Sequence, residues 1–93
     1  MTPLGEYKFK FADGWDAYFR NLDKSVRDRI LAKMEQLRHE HSSRHLKQAP
    51  IFVEEVGQYR ICFKIDEKER MKIFYFVGDH KDYEKWYSGV KQG

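Results

Sequence analysis

The chain has 93 residues, which leaves room for one domain, and its content of 41 % hydrophobic and 16 % aromatic residues excludes a disordered chain. Its single cysteine, Cys62, excludes an intrachain disulfide and a metal cage built from cysteines. No run approaches the ~20 apolar residues of a membrane-spanning helix, and residues 1–6 lack the apolar core of a signal peptide. The sequence therefore predicts a soluble, cytoplasmic protein.

The formal net charge is +3, and the positive charge is concentrated in residues 24–48. Seven lysines and arginines stand there against three acidic residues. Such a surplus attracts nucleic acid, but it is also typical of a solvated helix face. Both interpretations stay open on charge alone.

The first elements in chain order are a strand and a short helix. Residues 7–11 alternate apolar and basic side chains, which predicts a half-buried strand. Asp13 is the predicted N-cap of a short helix near residues 14–21. The buried side of that helix is predicted to carry three apolar residues at helical spacing, namely Trp15, Phe19 and Leu22.

A second, longer helix is predicted to begin near residues 23–25. Ser25 followed by Asp28 fits the capping-box pattern, in which an acidic residue lies near the helix N-terminus. Its buried stripe is predicted to consist of Val26, Ile30, Met34 and Leu37, widened by Leu31. The pattern fades at residues 41–43, which predicts a loop, and residues 46–50 form a predicted connector.

Three strands and a tail are predicted in the second half. Residues 51–53 begin the second strand, and Gly57-Gln58 is a two-residue hairpin turn. The third strand alternates Tyr59, Ile61, Phe63 and Ile65 with Arg60, Cys62 and Lys64. The fourth strand alternates Met71, Ile73, Tyr75 and Val77 with Arg70, Lys72, Phe74 and Phe76. After Gly78, one last helical turn is predicted, lined by Tyr83, Trp86 and Tyr87.

The order of elements, β-α-α-β-β-β, predicts an α+β fold. Two N-terminal helices pack on one face of a mostly antiparallel four-stranded sheet, and a short C-terminal helical tail follows. The sequence contains no internal repeat or linker, so residues 1–93 are predicted to form a single domain.

Three segments carry a family resemblance. Gly57-Gln58-Tyr59-Arg60-Ile61 resembles the glycine-x-tyrosine-arginine turn that opens the third strand of RelE/ParE superfamily toxins. Val77-Gly78-Asp79-His80-Lys81-Asp82-Tyr83 is similar to the ending of that superfamily, where the last strand runs into glycine, a basic or histidine residue, and a tyrosine. Leu46-Lys47 resembles the leucine-basic pair ahead of the second strand. The order of elements agrees over residues 6–88.

The resemblance implies the toxin of a toxin–antitoxin pair. RelE-like members are endoribonucleases that cleave messenger RNA, usually on the ribosome, and a cognate antitoxin protein neutralises them. ParE-like members keep the fold but poison DNA gyrase, and His80 tells against that alternative because a non-hydrolytic inhibitor needs no titrating group there. A catalytically inactive binding domain with the RelE fold and a general nucleic-acid-binding module are the remaining alternatives.

Metal-independent RNA cleavage uses the substrate's 2′-hydroxyl as nucleophile, and it needs a base, an acid and a cation near the phosphate. Arg60 can bind a phosphate with two parallel hydrogen bonds and faces away from the predicted core. The alternative is an exposed strand arginine that pairs with Glu54 or Glu55. His80 is the acid–base candidate because histidine titrates near neutral pH, and the alternative is a surface histidine.

The resemblance also implies a tyrosine that orients the substrate, and Tyr83 and Tyr87 compete for this role, with Tyr87 slightly favoured. Either ring is alternatively an anchor of the tail. Many relatives place a basic residue on the second strand, whereas this chain has Glu54 and Glu55, of which Glu55 is the candidate general base beside His80. The predicted RNA-binding residues are Lys47, Arg44, Lys81 and Trp86.

No cofactor or metal site is predicted. Three histidines and one glutamate cluster in sequence after the second helix, but their spacing matches no established zinc pattern; they are His39, His41, His45 and Glu40. Cys62 alternates with Arg60 and so is predicted near the site, but a nucleophilic role needs a paired histidine.

Overall fold

The computed structural model describes residues 6–39, 44–45 and 51–92, with side chains for all of these except 44–45 and 90–92. Five strands and three helices lie in this part of the chain. In order they are β1 (Lys8–Phe11), α1 (Trp15–Arg20), α2 (Lys24–Gln36), β2 (Arg44–His45), β3 (Phe52–Val56), β4 (Tyr59–Asp66), β5 (Met71–Asp79) and α3 (His80–Gln92). None of the described helices has the length and apolarity needed to cross a membrane.

The strands form one sheet in the order β1-β5-β4-β3-β2. β1 pairs with β5 in parallel, and the other neighbours are antiparallel. The predicted α+β class and the order of elements are thus confirmed. The fifth strand is β2, a two-residue edge strand that the sequence did not predict because its pairing with β3 depends on tertiary contact.

Both faces of the sheet are covered. On one face, which we call the α1/α2 face, the helices α1 and α2 pack against Ile61, Phe63, Phe74 and Val77. On the other, the α3 face, Tyr83 and Trp86 of α3 pack against a smaller cluster formed by Ile51, Val53, Cys62 and Phe76. Two N-terminal helices on one face were predicted, whereas the covering of the second face was not.

The C-terminal element is a helix of 13 residues, so the predicted short tail was wrong in length. Its N-terminus is capped, because the Asp79 carboxylate accepts a hydrogen bond from the Asp82 backbone N–H at 2.9 Å. Tyr83 and Trp86 then supply an apolar side that packs on the sheet. The cap and this buried side together stabilise more than one turn.

The predicted alternation is confirmed for β4 and wrong for β5. Cys62 lies opposite Phe76 whereas Phe63 lies opposite Phe74, so β5 contains one additional residue, Tyr75, at a β-bulge. The bulge shifts the alternation, because an inserted residue reverses the face of every later side chain. Phe74 and Val77 therefore both lie in the core of the α1/α2 face.

The helices differ from prediction in three details. α1 has Gly14 rather than Asp13 as N-cap, and Gly14 has the positive φ of 96° that glycine adopts readily. α2 begins after Asp23, with no side-chain cap bond, and Asp28 pairs with Lys24 instead of closing a capping box. Leu31 is 51 % exposed and so does not widen the buried stripe.

Candidate active site

The candidate site lies at the end of the sheet where the Gly57–Gln58 turn joins β3 to β4. Tyr59, the first residue of β4, is paired with Asp79, the last residue of β5, so α3 begins beside this turn. Arg60 is paired with Glu55 on one neighbouring strand and with Gly78 on the other. The register therefore places a cation between a carboxylate and a position without a side chain.

Arg60 points to the α3 face, as the alternation along β4 predicted. Its side chain is only 16 % exposed, and its Nε lies 3.6 Å from Oε1 of Glu55. Its Nη1 donates hydrogen bonds to the backbone carbonyls of Gly57 at 3.4 Å and of Tyr59 at 3.2 Å. The guanidinium is thus folded back over the turn, where several acceptors hold it.

Gly78 allows the start of α3 to lie close to the strand. A Cβ at this position would be 2.7 Å from the Phe76 ring and 3.4 Å from the Cβ of Asp82. Real side chains do not tolerate the first of these separations, so another residue at position 78 would force the Phe76 ring to move. Close packing against the Phe76 ring therefore explains why glycine stands at position 78.

His80 is the first residue of α3, one position beyond the pair Tyr59–Asp79. The spacing of neighbouring strands and the rise per residue put its Cα on the order of 8 Å from that of Arg60. Its side chain is 57 % exposed, and Nε2 lies 3.0 Å from Oε1 of Glu84, one helical turn later. Glu84 thus holds the imidazole at the same end of the sheet as Arg60.

The two glutamates of β3 point to opposite faces. Glu54 is paired with Ile61 and lies 3.5 Å from Lys33 of α2, so it belongs to the α1/α2 face. Glu55 is paired with Arg60 and shares its face. Of the two carboxylates, only Glu55 therefore stands beside the candidate phosphate-binding group.

The aromatic candidates lie along α3. The rings of Tyr83 and Tyr87 are nearly parallel with centroids 6.0 Å apart, and both side chains are half-buried. Tyr83 also packs against the core cluster of the α3 face. The Trp86 ring stacks on Phe76 with centroids 5.2 Å apart. Lys81 is exposed on the first turn.

Cys62 is fully buried beneath α3. Burial raises the pKa of its thiol to about 12, although the positive charge of Arg60 acts in the opposite direction. Because the thiolate is the nucleophilic form, this thiol is unreactive at neutral pH.

Several predicted residues lie outside the described part of the chain. These are Lys47, Glu40 and His41, and for Arg44 and His45 only the backbone is described. Among the side chains that are described, no three His, Cys, Asp or Glu residues come together as metal ligands do.

Sequence reasoning missed two groups at this end of the sheet. Glu84 follows His80 by four residues, a spacing that places both on one side of a helix, so the pattern itself carried the signal. The second is Arg29 of α2, whose guanidinium lies over Gly57. No local pattern indicates this approach, because it depends on how α2 packs against the sheet.

Comparison with solved structures finds a similar fold in RelE structures. The chain is similar to a chain of the toxin–antitoxin complex RelBE2 from Mycobacterium tuberculosis, with a TM-score of 0.76 at 16 % identity, covering 86 % of this chain and 98 % of that one. It is also similar to a mutant of the Escherichia coli toxin RelE in the free state, with a TM-score of 0.75 at 15 % identity, covering 94 % and 97 %. A chain of the RelB–RelE antitoxin–toxin complex from Methanococcus jannaschii gives 0.68 at 19 % identity, covering 84 % and 98 %.

At the level of sequence, no protein-family model matches and no curated protein is significantly similar. The agreement is therefore one of three-dimensional arrangement, and it extends over nearly the full length of the matched toxin chains. The chain has the fold of the RelE toxins.

Proposed function

We propose that the chain is a RelE-like toxin, a metal-independent endoribonuclease that cleaves mRNA on the ribosome in the cytoplasm. The observation that carries this proposal is the grouping of Arg60, Glu55 and His80 at one end of a sheet with the RelE fold. Metal-free RNA cleavage requires a cation, a base and an acid around one phosphodiester, and these three side chains are of those types.

In the proposed reaction the 2′-hydroxyl attacks the adjacent phosphorus. Glu55 accepts the proton of the hydroxyl, Arg60 stabilises the charge that develops on the phosphoryl oxygens, and His80 donates a proton to the departing 5′-oxygen. The products are a 2′,3′-cyclic phosphate and a 5′-hydroxyl end. Tyr87, with Tyr83 parallel to it, orients the substrate by stacking on a base.

Basic residues outside this group supply affinity for the phosphate backbone. Lys81 is exposed one position after His80, and Lys47 and Arg44 belong to the basic segment of the sequence. Trp86 supports the stacking residues from beneath α3, where its ring lies on Phe76. Contacts of this kind add salt-dependent affinity without selecting a base.

A partner protein is the second part of the proposal. The similar chains from Mycobacterium tuberculosis and Methanococcus jannaschii are in complexes of toxin and antitoxin. We infer that a cognate antitoxin binds this chain and blocks its activity.

A catalytically inactive binding domain is the second candidate. The ion pair between Arg60 and Glu55 and the small exposed fraction of Arg60 favour it, because a paired guanidinium must be released before it binds a phosphate.

The test is induced expression of the full chain without a partner protein, comparing wild type with Arg60→Ala and His80→Ala. We expect translation to stop and mRNA to show discrete new 5′ ends, and we expect cleavage of ribosome-bound mRNA to fall about 10²- to 10³-fold in both variants. Arg20→Ala and His39→Ala are matched controls, since Arg20 pairs with Asp16 on exposed α1 and His39 is exposed beyond α2.

Each other outcome selects a different function. Arrest with intact mRNA and damaged DNA would indicate a gyrase inhibitor of the ParE type. No effect on growth, together with no cleavage in vitro, would indicate the binding domain.

A further inference from the structure

We propose that Arg29 of α2 binds a second phosphate of the RNA strand, next to the phosphate bound by Arg60. This inference rests on the proposed function, because it names a further contact of the same substrate.

The two arginines meet at Gly57 from opposite faces of the sheet. A Cβ built on Gly57 would lie 2.6 Å from Nη2 of Arg29 and 3.7 Å from its Cζ, so the Arg29 guanidinium lies directly against this residue. From the α3 face, Nη1 of Arg60 donates to the Gly57 carbonyl at 3.4 Å. Standard backbone dimensions then put the two guanidinium groups no more than about 10 Å apart.

Within the described part of the chain Arg29 forms no ion pair, whereas two lysines of the same helix do. Lys33, one turn later in α2, lies 3.5 Å from Glu54, and Lys24, on the first turn, lies 3.0 Å from Asp28. Arg29 is exposed. A phosphate that binds Arg29 therefore displaces no carboxylate of a described residue, and a guanidinium is the side chain best suited to bind a phosphate in a fixed geometry.

Gly57 makes this approach possible for two reasons. Its φ of 60° lies in the left-handed region that glycine adopts without strain. In addition, a Cβ at position 57 would force the Arg29 guanidinium, the mobile end of that side chain, to shift. The glycine of the turn thus has a role beyond the turn itself, which is to admit a cation from α2.

The positions of the two groups define a path for the strand. Because the two guanidinium groups are at most about 10 Å apart, two phosphates of one strand can contact one guanidinium each. The RNA would run from the start of α3 across the Gly57–Gln58 turn towards α2. Because Arg29 is on the far side of the turn from His80, its contact adds binding energy without taking part in proton transfer.

The test is binding of a fluorescent single-stranded RNA carrying 2′-O-methyl groups, which cannot be cleaved through the 2′-oxygen. For Arg29→Ala we expect affinity to fall about fivefold at low salt, and the slope of log K against log salt to become shallower by about 0.7. Arg27→Ala is the matched control, since it removes the same charge from α2 but lies two positions away, on the other side of the helix. Arg27→Ala is expected to leave the slope unchanged.

A second variant tests the geometry without removing the charge. Gly57→Asn retains a residue that tolerates the left-handed conformation, but its Cβ displaces the Arg29 guanidinium. We expect a smaller loss of affinity than in Arg29→Ala, because the displaced arginine keeps its charge, and no further loss when Gly57→Asn is added to Arg29→Ala.

The outcomes separate this inference from the proposed function. If wild type cleaves mRNA while Arg29→Ala and Arg27→Ala bind the RNA equally well, the role of Arg29 is overturned and the proposed function stands. If no cleavage occurs but the loss is specific to Arg29→Ala, the RNA contact is supported and the endoribonuclease proposal fails. Additive losses in the double variant would contradict the contact across Gly57.

Discussion

The two ends of the sheet carry charged clusters that differ in how fully their cations are paired. At the end where residues 67–70 join β4 to β5, the Tyr7 hydroxyl donates to Glu67 at 2.6 Å and accepts a hydrogen bond from Arg70 at 3.1 Å. Lys72 is fully buried there, donates to the Leu37 carbonyl at the end of α2, and lies 4.7 Å from the centre of the Tyr7 ring. These groups join the start of β1, the end of α2 and the β4–β5 hairpin.

The end beside the Gly57–Gln58 turn is arranged differently. Arg60 has one carboxylate at 3.6 Å, His80 is largely exposed, and Arg29 forms no ion pair with a described residue. A buried cation must be fully hydrogen-bonded to persist, whereas a cation that binds a substrate must be able to exchange its partners. The comparison favours a stabilising role for the first end, whereas the second end leaves His80 and Arg29 exposed to solvent.

The largest expected effect is that of Glu55→Gln. This change removes the candidate base and also the carboxylate beside Arg60. We expect cleavage of ribosome-bound mRNA to fall at least about 10²-fold, while binding of uncleavable RNA becomes severalfold tighter because Arg60 is released. Rates and affinities measured on one protein preparation separate the two consequences.

Glu54→Gln is the matched control, since it changes the neighbouring carboxylate, which faces α2 and lies near Lys33. It is expected to leave cleavage unchanged. If Glu55→Gln cleaves as fast as wild type, Glu55 is not the base, and its role is confined to holding Arg60.

The next largest effect is expected on stability, at the end of the sheet that contains Lys72. Lys72→Ala removes a buried donor from the Leu37 carbonyl and leaves a cavity in place of the aliphatic chain. We expect the free energy of unfolding to fall by about 3 kcal/mol, as measured by urea denaturation. Lys72→Met keeps most of the volume and measures how much of the loss comes from the ammonium group.

At the candidate site, Arg60→Ala is expected to cost less stability than Lys72→Ala, because the half-exposed Glu55 and the Gly57 carbonyl can be hydrated once the guanidinium is removed. Lys72→Ala would then mainly lower the free energy of unfolding, whereas Arg60→Ala would mainly lower the rate of mRNA cleavage. A Lys72→Ala variant as stable as wild type would contradict the structural role of that end.

The parts of the fold that were predicted depend on local patterns. About ten residues of sequence are enough to recognise each of them: the alternation in β4, the two-residue turn and the apolar stripe of α2. The bulge at Tyr75 and the pairing of β2 were not predicted, since both depend on which strand lies alongside. Residues 73–77 of β5 are all apolar or aromatic, so no change in hydrophobic pattern marks the bulge.

The orientation of Glu54 and Glu55, by contrast, could be predicted from a local pattern. A two-residue turn at Gly57–Gln58 fixes the register of the hairpin, and that register places Glu55, not Glu54, opposite Arg60. The placement of Glu55 opposite Arg60 therefore follows from the sequence once the turn is assigned. The approach of Arg29 to Gly57 does not follow from the sequence, because it depends on the position of α2 over the sheet.

The smallest expected effect is a dependence of stability on pH that arises from Cys62, midway between the two ends. Burial raises the pKa of its thiol from 9.0, the ordinary value that the unfolded chain retains, to about 12 in the folded protein. Because the folded pKa is raised, this contribution is fully present below pH 9 and is lost as pH rises towards 12.

We expect the free energy of unfolding to fall by about 1 kcal/mol between about pH 8.5 and about pH 10 in wild type, and by less in Cys62→Ala. The pKa of Tyr7 is also raised, by burial and by Glu67, but Tyr7 is common to both proteins, so the difference between their pH curves reports on Cys62. Parallel pH curves for the two proteins would mean that the thiol is accessible to water in the folded state, and that α3 does not stay packed over Cys62 and Phe76.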